Sequence, residues 1–288
     1  EQAAGYSLAQ LLERQAGSVT INSAQNNPLQ PDVRVRGFTA SPLLGISQGV
    51  VVYQNGVRIN ETFGDTVNWD LLTASTVESM NIVAGSNPVL GLNSVGGAIA
   101  IATKNGFSAP EQTIALVYGS YGAHELNITS GASNDSWGYF LALDAMEEEG
   151  WRDFSPSRAL NLYGALSWRD ESSELDLYVN GGDTKLHGNG SAPEALLEQS
   201  REQVFTHPDI TENRMGMASL SLKHWFKAAT QLSLNLFYRN TTTHSFNGDG
   251  SEFEECNPPF GTLLCDEDGG QIEDQHGNPV SDDFDAIN

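Results

Sequence analysis

The feature that most constrains this 288-residue chain is an alternation of period two that begins after Pro110 and returns through segments of eight to fourteen residues. Successive side chains of a strand point to opposite faces, so this period selects strands over helices. Trp137, Tyr139, Leu141 and Leu143 share one face, as do Leu160, Leu162, Leu166 and Trp168. The pattern recurs at Leu175, Leu177 and Val179, at Ala218, Leu220, Leu222 and Phe226, and at Leu232, Leu234, Leu236 and Tyr238. The opposite faces are small or polar. Seven strands are expected: Gln112 to Gly119, Ala123 to Ser133, Trp137 to Glu148, Ser157 to Trp168, Glu174 to Leu186, Asn213 to Phe226 and Gln231 to Thr243.

The connections support a membrane barrel. Asn134 to Ser136, Arg169 to Ser173 and Lys227 to Thr230 are tight, whereas Glu147 to Ser157, His187 to Glu212 and the stretch after His244 are long and acidic. Short turns at one end, long loops at the other and aromatic residues beside the short turns are the marks of such a barrel. Gly119 to Gly122 departs from the rule, being short on the long-loop side. A soluble antiparallel sandwich also alternates, but its strands are shorter and long loops rarely gather at one end.

Charge narrows the field of partners. The formal net charge is -23; 5 basic and 7 acidic residues precede residue 110, and 9 basic and 30 acidic residues follow it. No Lys or Arg follows Arg239, which excludes nucleic acid as a partner, since phosphate neutralisation needs cations. There is no run of 18 apolar residues for a transmembrane helix, but membrane strands need only about 9 to 11 residues. No secretion signal is visible at the polar start, so export rests on other features. Cys256 and Cys265, with Pro258, Pro259 and Gly261 between them, read as a short disulfide loop of an oxidising compartment, free thiols being the alternative.

The first hundred residues have a different texture. Residues 6–16 hold Leu8, Leu11 and Leu12 at helical spacing behind Ser7, with Gly17 as a stop. Short strands are expected at Val33 to Phe38, Gly49 to Gln54, Val57 to Asn60, Val77 to Val83 and Ala98 to Thr103, and Asn55-Gly56 between two apolar runs signals a hairpin. In order, Val33-Arg34-Val35-Arg36-Gly37-Phe38, Val51-Val52-Tyr53-Gln54-Asn55-Gly56-Val57, Val77 to Gly85, and Leu90-Gly91 through Gly96-Gly97-Ala98-Ile99-Ala100-Ile101-Ala102-Thr103-Lys104 together resemble the plug of TonB-dependent outer-membrane receptors. The likeness covers about residues 7–106 by motif and the remainder only by its alternation. It departs from the family after the third strand: an Arg-Ile-Glu core followed by Arg-Gly-Pro is usual, and Met80, Ile82, Ala84, Gly85 and Ser86 occupy that stretch.

The resemblance implies a β-dominated fold: a small α/β plug over residues 1–110, then antiparallel transmembrane strands over 111–288, about seven of an expected 22. It implies a bacterial outer-membrane receptor without catalysis. Such a receptor captures an iron-siderophore, cobalamin, haem or glycan and imports it when TonB, energised from the inner membrane, pulls on a segment ahead of the plug. No such segment is recognisable ahead of Tyr6. Outer-membrane lipid and lipopolysaccharide are further implied partners. A barrel needs closure, so the remaining strands are expected from the rest of the chain or from a second polypeptide. The alternative is an adhesive or structural barrel whose acidic loops bind a partner. An enzyme finds no nucleophile elbow or metalloprotease helix here.

Candidate site residues follow by position. The family's outward loops correspond to Thr39 to Gln48 and Glu61 to Trp69, which nominates Ser41, Gln48, Phe63, Asp65, Asn68 and Trp69 as ligand contacts, packing of the two aromatics being the alternative. Family plug arginines pair with barrel glutamates, which leaves Arg34, Arg36 or Arg58 for a structural ion pair of that kind. Arg36, set among apolar residues in an expected strand, needs a partner if buried. No cofactor is expected beyond an optional calcium ion, for which Asp266, Glu267 and Asp268 offer hard oxygens without full EF-hand spacing.

Overall fold

The computed structural model describes residues 7–23, 25–227, 229–248, 254–256, 263–266, 269–273 and 277–280. They fall into two compact units, Glu1–Asn247 and Gly248–Asn288.

The chain opens with helix α1 (Leu8–Gln15), fixed at its start by a capping box. The Gln10 N–H donates to Ser7 Oγ at 3.3 Å, and the Ser7 N–H donates to Gln10 Oε1 at 2.9 Å, satisfying two end donors reciprocally. The helix buries Leu8, Ala9, Leu11 and Leu12 as its spacing predicts. Tyr6, the expected first residue, lies outside the described residues.

Strands β1 (Val19–Asn22), β2 (Asp32–Val35) and β3 (Phe38–Ala40) form an antiparallel sheet in that order. The expected strand Val33 to Phe38 is therefore two strands. Arg36 at φ +53° and Gly37 at φ +89° make a two-residue turn with both centres left-handed, the geometry that matches strand twist in a hairpin. A second, mixed sheet is built from β4 (Val50–Gln54), β5 (Val57–Arg58), β6 (Val77–Ala84) and β7 (Gly97–Thr103), in the order β5-β4-β7-β6 with β4 and β7 parallel. The expected hairpin is present, with Asn55 at φ +49° and Gly56 at φ +81°. It ends at Arg58, before the expected Asn60, because the Asn60 side chain takes over the pairing. Its Oδ1 accepts the Val52 N–H at 2.8 Å, and its Nδ2 donates to the Val50 carbonyl at 3.2 Å. One core joins helix and sheets through Leu8, Leu12, Val33, Val50, Ile59 and Ile99.

The wall follows: β8 (Gln112–Tyr118), β9 (His124–Ser133), β10 (Trp137–Glu148), β11 (Ser157–Arg169), β12 (Ser173–Gly188), β13 (Asp209–Lys227) and β14 (Thr230–Asn247), each antiparallel to its sequence neighbour in one seven-stranded sheet. A short helix, α2 (Glu194–Gln199), sits in the connection before β13. Compared with the expected ends, β13 begins four residues earlier, at Asp209, and β14 runs four residues further, to Asn247. Those extensions are mostly polar, with Ile210 and Phe246 as single apolar residues, so apolar alternation does not reveal them. Trp137 and Trp168 lie beside the tight turns with ring centroids 6.5 Å apart. One face of the wall packs on the plug through Phe140, Tyr163 and Tyr178. The other leaves Leu141, Leu160, Leu162, Leu166, Val179 and Leu236 exposed, which a soluble sandwich would not.

In the second unit, β15 (Glu254–Glu255) pairs with β16 (Leu264–Cys265), and Cys256 and Cys265 form the expected disulfide.

Between plug and wall the chain is clamped. A Cβ on Gly106 would stand 2.2 Å from the Tyr139 nitrogen, and one on Gly131 would stand 2.1 Å from the Ala109 carbonyl oxygen. We therefore expect Gly131→Val to destabilise the assembled protein by about 1–3 kcal/mol, as overpacking does. Chemical denaturation measures it, and an unchanged midpoint would show that the connection has slack.

Candidate functional site

The plug grips the wall through a segment that runs from Ile59 to Asp70. Along β14 the side chains alternate, so Tyr238 is exposed and its neighbour Arg239 turns to the plug. The Arg239 guanidinium donates to the Glu61 carboxylate and, through Nη1, to the Ile59 carbonyl at 2.7 Å. Asn68 Nδ2 donates to the same Glu61 Oε1 at 3.1 Å. Both charged side chains are largely out of solvent, at 14% for Arg239 and 20% for Glu61.

Further along the same segment, Asp70 sits in a one-turn 3-10 helix (Trp69–Leu71) and is only 2% exposed. Its Oδ2 accepts from Thr184 Oγ1 at 2.5 Å and from Asn213 Nδ2 at 2.8 Å, and its backbone carbonyl accepts from Asn161 Nδ2 at 2.9 Å. Asn213 Oδ1 in turn accepts from Thr243 at 2.8 Å. Strands β11 to β14 thus all meet this one segment. No cation lies within ion-pair distance of Asp70 among the described residues, and desolvation raises its pKa above the ordinary carboxylate value. Desolvation raises Glu61 as well, outweighing the pull of Arg239 in the other direction.

Weaker ties surround the grip. Gln54 Nε2 donates to Asn180 at 3.0 Å, the Tyr163 hydroxyl reaches Thr103 Oγ1 at 2.7 Å and the Lys104 carbonyl at 2.8 Å, and Ser75 donates to Asp144 at 2.7 Å. Asn27 Nδ2 donates to Ser157 Oγ at 2.7 Å, at the long-loop end of β11. Between α1, the 69–78 stretch and the inner face of β8 to β10 lies a cavity of about 870 Å3, bordered by Asp70, Glu78, Glu111, Glu125, Asp144 and Glu148.

The sequence-nominated residues fall differently from expectation. The plug–wall ion pair seen among the described residues has its carboxylate on the plug and its arginine on the wall, and none of Arg34, Arg36 and Arg58 pairs with a wall carboxylate there. Arg58 pairs within the plug, with Asp65 at 2.6 Å. Arg34 and Arg36 are exposed, Arg36 because it sits in the hairpin turn, and neither has an ion-pair partner among the described residues.

Among the nominated ligand contacts, Ser41 is fully buried and donates to Asp32 at 2.5 Å. Gln48 Oε1 accepts the Ser41 N–H at 2.8 Å. Trp69 is buried with Nε1 donating to the Ala40 carbonyl at 3.0 Å, Asn68 holds Glu61, and Asp65 also accepts from Asn93 at 2.8 Å. Their polar groups are engaged inside the plug. Phe63 differs, being 78% exposed. Asp266 uses Oδ1 to accept the Gly270 N–H at 2.7 Å, while Glu267 and Asp268 lie outside the described residues. No three His, Cys, Asp or Glu side chains converge as metal ligands among the described residues.

Glu61, Asp70 and Arg239 were not singled out by sequence reasoning, although each leaves a trace. Asp70 interrupts the apolar run Trp69-Asp70-Leu71-Leu72, and Arg239 stands at a plug-facing place in an alternating strand.

Two outcomes are expected. Glu61→Arg and Arg239→Glu should each weaken plug retention by about 2–5 kcal/mol, and the exchanged double variant should recover most of it. Protease protection of the plug in denaturant measures this; a double variant as weak as the sum of the singles would refute the pairing. Because both carboxylates bind protons more readily when docked, docking is weakest at high pH. It tightens as pH falls through their raised values and gains nothing more below about pH 4. Asp70→Asn should flatten part of that dependence, and identical profiles would refute the assignment.

Residues 1–98 match the family described as the TonB-dependent receptor plug domain. Among solved structures, the chain is similar to the ferric citrate transporter FecA in its unliganded form, at 17% identity and a TM-score of 0.66, covering 81% of this chain and 37% of that one. It is similar to the ferric yersiniabactin uptake receptor FyuA from Yersinia pestis, at 15% identity and 0.66, covering 84% and 39%. It is also similar to the ferric-catecholate import receptor Fiu from E. coli K12, at 13% and 0.66, covering 91% and 40%. At such identities the likeness establishes the fold, and the chain spans about two fifths of the length of these structures. Residues 1–98 thus match the plug domain of TonB-dependent receptors, and the strands that follow share the fold of the barrel wall in these solved structures.

Proposed function

We propose that the chain supplies the plug and seven wall strands of an outer-membrane receptor that binds a ferric chelate on the outer face and imports it when TonB pulls on the plug. The observation that carries this reading is a folded plug held against an otherwise lipid-suited wall by a few polar contacts. A structural barrel has no need of a separable domain seated there by hydrogen bonds. The ferric chelate is favoured because the similar structures are named for ferric citrate, ferric yersiniabactin and ferric-catecholate uptake.

Charge refines the ligand class. The part of the chain after residue 110 carries 30 acidic against 9 basic residues, and the cavity between plug and wall is bordered by six carboxylates. A field of that sign repels polyanions and draws cations, which favours a chelate of neutral or positive net charge. The cavity also gives the chelate a polar space beside the grip.

The test uses cells that make the complete receptor, offered radiolabelled ferric complexes of one anionic, one neutral and one cationic chelator. Removing the inner-membrane energy source should abolish uptake and leave surface binding intact, with the anionic complex the poorest ligand. Uptake that persists without energy coupling would overturn the transport reading.

A further inference from the structure

We propose that Gln25, Asn26 and Asn27 form a mechanical stop: a fastening of the plug to the long-loop end of the wall that takes up a pull applied ahead of the plug and leaves only α1 and β1 free to be drawn out. This rests on the transport reading above, which supplies the pull.

Chain order sets the stop in place. Among the described residues, hydrogen bonds from plug to wall begin at Gln25 to Asn27; the next along the chain joins Gln54 to Asn180, and Asn55, Ile59 and Glu61 follow on β14. A pull enters at the front of the chain and passes along it, so the first fastening is stretched before the grip at Glu61 and Asp70. The part ahead of it is a separable unit. Glu13 Oε1 on α1 accepts the Ile21 N–H on β1 at 2.9 Å, and β1 is the edge of a sheet ordered β1-β2-β3, so its departure leaves β2 and β3 paired.

The plug side of the fastening is set before it meets the wall. Asn26 turns the chain at φ +51°, and Asn27 Oδ1 accepts the Leu29 N–H at 2.9 Å, the local turn that asparagine favours. Asn27 is 2% exposed, and its Nδ2 donates to Ser157 Oγ at 2.7 Å and to the His187 carbonyl at 3.0 Å. The Gln25 carbonyl accepts the Asn189 N–H at 2.8 Å, and Asn26 Nδ2 donates to the Asn189 carbonyl at 3.2 Å. Only glycine fits at 188, since a Cβ there would stand 2.1 Å from Gln25 Oε1.

The wall side is braced. Arg152 is 6% exposed; its Nη1 donates to the Gly190 carbonyl at 3.2 Å and its Nη2 to the Gln203 carbonyl at 2.5 Å. The Asp153 N–H donates to the Glu202 carbonyl at 2.8 Å, and Asn189 Nδ2 donates to Ser155 Oγ at 2.5 Å. The loop before β11 and the loop after β12 therefore meet the plug as one piece, and Asn189 does not follow a tug alone. Opening such a contact strands buried donors and acceptors, which costs more than parting groups already in water.

The experiment uses the complete receptor in a lipid bilayer. In a single-molecule pull on a handle at Gln2→Cys, the first step should release no more than residues 2–24, at most about 80 Å of chain. Asn26→Gly with Asn27→Ala should lengthen that step toward the next fastening at Gln54, up to about 180 Å for residues 2–53. A second pair leaves both asparagines in place. A Cβ on Gly188 would lie 3.2 Å from the Gln25 Cβ, so Gln25→Cys with Gly188→Cys can close a disulfide with a small adjustment and make the stop covalent. Energised uptake of a ferric complex should be the same in the oxidised and reduced forms, with wild type, which carries the Cys256–Cys265 disulfide, treated alike as control. First steps of equal length in wild type and the asparagine variant would overturn the proposal. So would uptake lost on oxidation and restored on reduction in the cysteine pair alone, because the fastening would then be one that opens in each cycle. Failure of the transport reading looks different: energised uptake would be absent from wild type and both forms of the pair, while the two step lengths stayed distinct.

Discussion

Everything in this molecule hangs on the two-residue period of the wall. A strand that points successive side chains to opposite media must satisfy both at once, and a shift of one residue would turn each strand inside out. Tyr238 and Arg239 show what is at stake. In register, the tyrosine is exposed and the arginine meets Glu61; displaced by one, a charge would face the apolar side and a phenol would face a carboxylate. The grip on the plug and the apolar outer face are two readings of the same strands.

The grip itself is polar for a physical reason. Hydrophobic packing of comparable area would hold the plug more firmly, since replacing a buried ion pair by well-packed apolar groups is often neutral or stabilising. Here Glu61 and Asp70 are desolvated, and their partners return only part of the hydration energy. Asp70 meets neutral donors, Thr184 and Asn213, and leaves Oδ1 without a hydrogen-bond partner among the described residues. Such contacts define position sharply while keeping the binding energy modest, which suits the proposed receptor, whose plug would yield when pulled.

The wall could be read from sequence because its apolar face alternates over long stretches, and all seven strands lie where that alternation put them. Their ends at Asp209 to Glu212 and His244 to Asn247 were invisible for the same reason: each holds one apolar residue, Ile210 or Phe246, and a single apolar residue leaves no period of two. In the plug, the Arg36-Gly37 turn was read as strand interior since its neighbours are apolar, and β1 was missed because four residues carry too little pattern. The ion pair was beyond reach, because Glu61 and Arg239 are 178 residues apart and one sequence offers no signal for so distant a pairing. The family expectation concerned an arginine on the plug, whereas this pair has its arginine on the wall. Of the nominated outward residues, most are polar groups that turn inward to tie their own loops, a choice that composition cannot distinguish from ligand contact.

The tight fit of Gly106 and Ala109 against β9 and β10 bears on how the plug can move. A gate swings when the strip that joins it to its frame can twist, and this strip has backbone atoms against it on both sides, with the Tyr163 hydroxyl fastened to Lys104 at its head. Rotation about that joint is therefore blocked. On the proposed transport reading, a passage would then open by a change in the plug's own shape and not by its swinging as a door.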